Sequence, residues 1–184
     1  MFGMEMMSGA LEPLRELPQF TKWFLAFRNP FLGMCAGALL TAIIQSSSAS
    51  VGILQALCAA GTIPYSAVLP VVMGQNIGTC VTALLSAIGT SKNARRAAIV
   101  HLYFNLIGTI VFMTVFYTLN AAVRFDFMQE MARPYGIAVV HTAFNVFATC
   151  LLLPFSGLLE KLAYLTIKED GTEHKAVRYI DEDV

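Results

Sequence analysis

The run Gln45-Ser46-Ser47-Ser48-Ala49-Ser50 puts four hydroxyls and an amide into six consecutive positions. Hydroxyl and carbonyl oxygens are hard, uncharged donors of the kind a small cation takes in place of water. Where a helix starts beside such a run, its free N–H groups offer an anion the positive end of the helix dipole. A second group, Gly74-Gln75-Asn76-Ile77-Gly78-Thr79, places two amides between glycines four apart, with a hydroxyl after them. Neither Lys nor Arg lies in or between the two stretches. An anion bound here must therefore be balanced by backbone dipoles and co-bound cations, which is a physical reason to expect ion coupling. The bland alternatives are serines that bond back to their own helix or join helices, and glycines that form a small-residue packing face.

A third pattern is a local repeat. Val100-His101-Leu102-Tyr103-Phe104-Asn105 recurs as Val140-His141-Thr142-Ala143-Phe144-Asn145. His and Asn at i and i+4 share a helix face. Ionisable groups inside a membrane are candidates for proton relay, but His101, Asn105, His141 and Asn145 read better as structural polar pairs, hydrogen-bonded across packed helices. Catalysis is not indicated. Ser47 or Ser48 with His101 has no Asp or Glu in the spans to orient the imidazole, and no nucleophile-elbow pattern is present. The chain is not an enzyme on this reading and needs no cofactor beyond co-transported Na⁺. The four cysteines form no C-x-x-C pair, so no metal site other than one for Na⁺ is expected.

The elements that must position these residues follow from the charges. Charged residues are only 13% of the chain against ~25% in soluble domains, and the formal net charge is zero. None falls within residues 29–91, 97–123 or 134–159. A membrane helix needs about 20 apolar residues, and a soluble domain has no use for three such runs. A soluble enzyme, a nucleic-acid binder and a disordered chain are excluded. The N-terminus carries Glu5 where a signal peptide is basic.

Within the first run, residues 31–44 and 51–61 flank the serines and are both too short to span. Asn29-Pro30 before them and Gly61-Thr62-Ile63-Pro64 after them supply helix breakers. Two half-length helices meeting at a polar tip make a re-entrant hairpin. The next span, residues 65–88, contains the Gly74–Thr79 group, and this predicts a broken helix whose freed backbone lines a cavity. Two further spans are expected at about 97–119 and 134–159. The Lys92–Arg96 loop and the tail beyond Glu160 are separated by two crossings and lie on one side, which their Lys and Arg content assigns to the cytoplasm. Arg15, Lys22 and Arg28 also suggest the cytoplasm, yet a hairpin plus one crossing puts them on the other side.

With these motifs in hand, the chain resembles the bacterial branch of the type II Na⁺/phosphate cotransporter family. The likeness is carried by residues 37–50, ending in the glutamine-triple-serine signature, by Gly74–Ala83, and by Arg95-Arg96-Ala97-Ala98 running into His101–Asn105 and Gly108-Thr109. It covers about residues 1–160. The resemblance implies two inverted halves, each with its own hairpin, holding phosphate and Na⁺ where they meet. It implies that Gln45, Ser46, Ser47 and Ser48 are substrate or Na⁺ contacts, with Gln75, Asn76 and Thr79 facing them. Only one signature is present, most like that of a second half, with Ser50 where threonine is common. The chain is accordingly read as a fragment or a half-sized protein that pairs with a missing first half or a second copy. The tail resembles the approach to a cytoplasmic PhoU-like domain.

The expected fold is an all-α polytopic membrane protein: a re-entrant hairpin, a broken transmembrane helix and two further transmembrane helices. Residues 1–30 form an amphipathic N-terminal segment, 31–160 a transport half-domain and 161–184 a charged tail. The expected function is sodium-coupled transport of inorganic phosphate by a multi-pass protein of the plasma or inner membrane. The rivals are transport of another oxyanion and a non-transporting anchor or sensor in phosphate signalling. The expected partners are phosphate, Na⁺ and the lipid bilayer, and no nucleic acid.

Overall fold

A computed structural model of the chain describes residues 26–59 and 63–168, with isolated positions before them. Among the described residues there are six α-helices: α1 (Pro30–Ile44), α2 (Ser47–Cys58), α3 (Tyr65–Ser86), α4 (Lys92–Val123), α5 (Pro134–Leu152) and α6 (Ser156–Thr166). Short 3-10 turns occupy Asp126–Gln129 and Leu153–Phe155. The described residues contain no strand, only an isolated bridge between Pro64 and Met131. Most of the amphipathic N-terminal segment, and the charged tail after Lys168, lie outside the described residues.

The hairpin forms as its sequence dictates. Asn29 starts α1 by accepting hydrogen bonds at Oδ1 from the N–H groups of Phe31 (3.0 Å) and Leu32 (3.4 Å), and Pro30 stands where no N–H is needed. Gln45 stops the helix in the left-handed region (φ 57°). The chain restarts at once, because Ser46 is the N-cap of α2. The arms of 15 and 12 residues are roughly 22 and 18 Å long, short of a ~30 Å hydrocarbon core. Both ends of the hairpin lie at one end of the bundle. Gly33 packs on Pro70, near the start of α3, and Ile63, beyond α2, is bonded to Ala132 in the α4–α5 connection. This is the re-entrant arrangement expected. It also sets Arg28, beside Asn29, at the opposite end from Lys92–Arg96. Arg15 and Lys22 lie outside the described residues.

The broken helix is corrected. α3 is one continuous 22-residue helix through Gly74–Thr79. Its glycines do not unwind it; they admit α1. A methyl group on Gly74 would run into the Met34 carbonyl, one on Gly78 into Ala38 and Thr41, and one on Gly37 of α1 into the Val71 carbonyl. The two helices run parallel in matched steps, 34 against 74 and 38 against 78, with backbones in contact. Glycine costs a helix roughly 1 kcal/mol per residue, and here close packing offsets it, as in small-residue membrane interfaces. The irregularity of α3 lies instead at Pro70, which has no N–H to give the Ser66 carbonyl.

Three helical stretches are long and apolar enough to cross a membrane: α3, α4 and the Pro134–Thr166 run of α5 and α6. Of the apolar window in α3, 61% is buried, against 22% in each of the other two. α3 is the central post, and the other two present apolar surface outward, as lipid requires. The core gathers Val68, Val72 and Met73 of α3 with Leu54 of α2, Ile137 and Phe144 of α5 and Met113 of α4. α4 begins at Lys92 and has 32 residues, longer than the span expected. Helix also runs past residue 160 to Thr166, with Leu159 and Ala163 of α6 buried.

Candidate functional site

The serine run is not a loop. Only Gln45 and Ser46 lie outside helix; Ser47, Ser48 and Ser50 belong to the first turn of α2. At a helix start the leading N–H groups lack partners within the helix. Ser46 satisfies one of them, its Oγ accepting from Ala49 (3.3 Å), and its carbonyl accepts the first regular helix bond, from Ser50 (3.0 Å). The N–H groups of Ser47 and Ser48 have no partner among the described residues. Gln45, Ser46 and Ser48 are exposed and Ser47 is half-buried. The tip therefore presents hydroxyls, an amide and two backbone donors, without a charged side chain.

Beneath the tip lies a dry polar node. Ser50 and Gln75 are fully buried and Thr41 is 1% exposed. Thr41 Oγ1 donates to Ser50 Oγ (2.8 Å), and Gln75 Nε2 donates to both Ser50 Oγ (2.9 Å) and the Ser50 carbonyl (3.0 Å). One side chain from each of α1, α2 and α3 thus meets at a point. Gln75 Oε1 is buried and has no hydrogen-bond partner among the described residues. Buried carbonyl oxygens are rarely left so, and an amide oxygen in this position can complete the shell of a small cation.

Thr41 was absent from the expected site, and Ser50, though part of the serine run, was not among the expected contacts. Their signal was available: Gly33, Gly37 and Thr41 are spaced four apart and all buried, a small-residue stripe facing the glycines of α3. The expected residues are only partly brought together. The described residues include no direct hydrogen bond between Gln45–Ser48 and Gln75, Asn76 or Thr79; Ser50 links the two sets through Gln75. Asn76 is buried but gives its Nδ2 to the Val72 carbonyl (2.9 Å). Thr79 is half-buried and donates to the Asn76 carbonyl (2.6 Å). Both bonds stay within α3.

The His–Asn pairs are corrected in the same sense. Among the described residues no hydrogen bond joins one pair to the other. Asn105 Nδ2 donates to the His101 carbonyl (3.1 Å), and Asn145 Nδ2 to the His141 carbonyl (2.8 Å), with His141 Nε2 3.4 Å away. Each is a local bond one turn back along its own helix. The link between helices here runs from Cys80 of α3 to the His101 carbonyl of α4, at 3.5 Å.

The base of the hairpin is tied to the α4–α5 connection. Ala132 N–H donates to the Ile63 carbonyl (2.8 Å) and Tyr65 N–H to the Glu130 carbonyl (3.0 Å). Gln55 Nε2, on α2, donates to the Pro134 carbonyl (2.9 Å). Tyr65 meets Phe127 edge-on and lies against Gly136, where a methyl group would strike its hydroxyl.

A family model described as Na+/Pi-cotransporter matches residues 1–129. The chain belongs to the Na⁺/Pi-cotransporter family. It is 35% identical over 133 residues to the protein YqeW of Bacillus subtilis (strain 168), covering 71% of this chain and 42% of that one. It is 37% identical over 93 residues to sodium-dependent phosphate transport protein 2B of Homo sapiens, covering 47% of this chain and 14% of that one. Against sodium-dependent phosphate transport protein 2A of Rattus norvegicus it is 37% identical over 91 residues, 46% of this chain and 14% of that one. The chain thus spans less than half the length of these relatives. No solved structure matches it. The family is one of transporters, and with three span-capable helical stretches the chain is a membrane protein.

Proposed function

We propose that the chain is the hairpin-bearing half of a sodium-coupled transporter of inorganic phosphate, working as a multi-pass protein of the plasma or inner membrane. The observation that carries this reading is the Thr41–Ser50–Gln75 node, with an unpartnered amide oxygen sealed beneath an exposed serine tip. The two parts suit two cargoes. Na⁺ takes neutral oxygens, and Gln75 Oε1 with the hydroxyls above it supplies them. Phosphate takes N–H and O–H donors, and Ser47, Ser48 and the start of α2 supply those. With no Lys or Arg at the tip, bound Na⁺ lowers the electrostatic cost of bringing in the anion, which is what couples the two fluxes. Membership of the family and the names of the relatives support phosphate and sodium as cargo. The facing surface of the site is contributed by a second half or a second copy.

The test is uptake of radiolabelled phosphate by the intact protein in proteoliposomes, with Na⁺ or choline outside. Uptake is expected to require Na⁺. Gln75→Leu, which keeps the volume and removes the amide, is expected to lower it at least about tenfold, the scale of one lost bond to a charged group. Uptake that is indifferent to Na⁺ overturns the coupling. Sulfate competing as well as phosphate overturns the substrate, and absence of any uptake with intact phosphate signalling favours the sensor reading.

A further inference from the structure

At the end of the bundle that carries Lys92, Arg95 and Arg96 there is a cavity of about 450 Å³ that the transport reading does not use. Its walls are Leu84 of α3, Ile88 in the turn after it, Ile99 of α4 and Ile167 beyond α6, with Thr166 and Arg95 as its polar members. No carboxylate is among its described lining residues. The two neighbouring arginines divide the work. Arg96 is 6% exposed and builds the wall: Nε and Nη2 both donate to the Ile167 carbonyl (3.1 Å each), Nη1 donates to Asn93 Oδ1 (3.2 Å), and the guanidinium lies 4.0 Å over the Tyr164 ring. Thr166 is held in turn by Tyr103, hydroxyl to hydroxyl at 2.8 Å. Arg95 is exposed and lines the cavity, and its guanidinium makes no hydrogen bond or ion pair with any described residue.

We infer that this cavity holds an anionic phospholipid, its headgroup phosphate on Arg95 and an acyl chain against Leu84, Ile88, Ile99 and Ile167. The volume falls in the range of small-molecule sites, which are mostly apolar with few placed polar groups. Its position suits a molecule that is charged at one end and hydrocarbon at the other. Leu84 lies in the last turn of α3 and Ile99 in the second turn of α4, Ile88 and Ile167 lie just past the ends of α3 and α6, and Arg95 stands one turn into α4, where the charged residues begin. A guanidinium matches phosphate oxygens with paired donors. Basic pockets between transmembrane helices are a recurrent headgroup site. A free phosphate ion would leave the four aliphatic walls unused, and a neutral lipid would leave Arg95 unused; the anionic lipid uses both.

Native mass spectrometry of the purified full chain in a neutral detergent, titrated with phosphatidylglycerol, phosphatidylcholine or inorganic phosphate, tests this. Phosphatidylglycerol is expected to be retained at one molecule per chain, and phosphatidylcholine more weakly. Arg95→Gln is expected to weaken phosphatidylglycerol retention about fivefold, the effect of one basic side chain at an anionic surface, and Arg95→Lys to restore most of it. Ile99→Trp fills the apolar part and is expected to abolish retention while Arg95 remains. Arg95 is exposed, so its variants fold. Equal retention of both lipids, retention unchanged in Arg95→Gln and Ile99→Trp, or an equal response to inorganic phosphate overturns the proposal. Retention that emerges only when the residues after Lys168 are removed assigns the cavity to the chain's own acidic tail and overturns it as well. None of these readouts depends on transport.

Discussion

At the base of the hairpin, Ile63 and Tyr65 exchange backbone bonds with Ala132 and Glu130, and Gln55 reaches across to the Pro134 carbonyl. At the tip, Gln45, Ser46 and Ser48 face outward, and the polar groups are engaged only within the turn that connects the arms. Both regions are polar ends of the same two helices, yet one has partners in a neighbouring loop and the other has none there. A membrane protein cannot leave such groups idle without cost. The base is therefore read as an anchor that sets the angle of the hairpin, and the tip as a surface whose partners lie outside the described residues. Between them, the Thr41–Ser50–Gln75 node ties both arms of the hairpin to α3.

If that division is right, substitutions at the base change stability and spare transport per folded molecule, while those at the tip do the reverse. The largest loss of stability is expected for Gly136→Val, which drives a side chain into the Tyr65 hydroxyl. An overpacked site of this kind costs about 3 kcal/mol, visible as a lower thermal midpoint and poor yield; a variant as stable as wild type would show the base to be loose. Gln55→Ala removes a single bond to Pro134 and is expected to cost about 1 kcal/mol. Its phosphate KM in proteoliposomes should not move, and a raised KM would place the base in the transport cycle. Ser48→Ala is the smallest change in stability, within about 0.5 kcal/mol, because the hydroxyl has no bond to lose among the described residues. Its phosphate uptake should nonetheless fall several-fold. Normal uptake in Ser48→Ala would end the distinction between the two regions.

Much of the architecture was legible because lipid makes sequence explicit. Charge-free runs, the Asn29-Pro30 start and the short arms around Gln45-Ser46 were enough to indicate a re-entrant hairpin and further spans. The error at Gly74–Thr79 has a physical source. Glycine weakens a helix and also lets another backbone approach, and the sequence of α3 alone does not say which use is made. The answer lay in the partner, where Gly33, Gly37 and Thr41 repeat the same spacing. The His–Asn repeats misled for a related reason. A side-chain amide at i+4 reaches the carbonyl one turn back as readily as it reaches a neighbouring helix, and only the packing decides. At the site, the motif residues were legible by type, but the link through Ser50 was not, since it depends on how far α2 turns after Ser46.

The backbone contact between α1 and α3 carries a mechanical consequence. Gly37 sits on the Val71 carbonyl, and Gly74 and Gly78 sit on α1 in return, so the pair is keyed like two racks. Sliding one along the other re-seats the small residues only after four positions, about 6 Å, and every intermediate setting collides. The hairpin arm consequently cannot travel as an independent gate. A displacement of the serine tip along the axis of α3 must carry α3 along with it, and the flexing falls to the seams around that block.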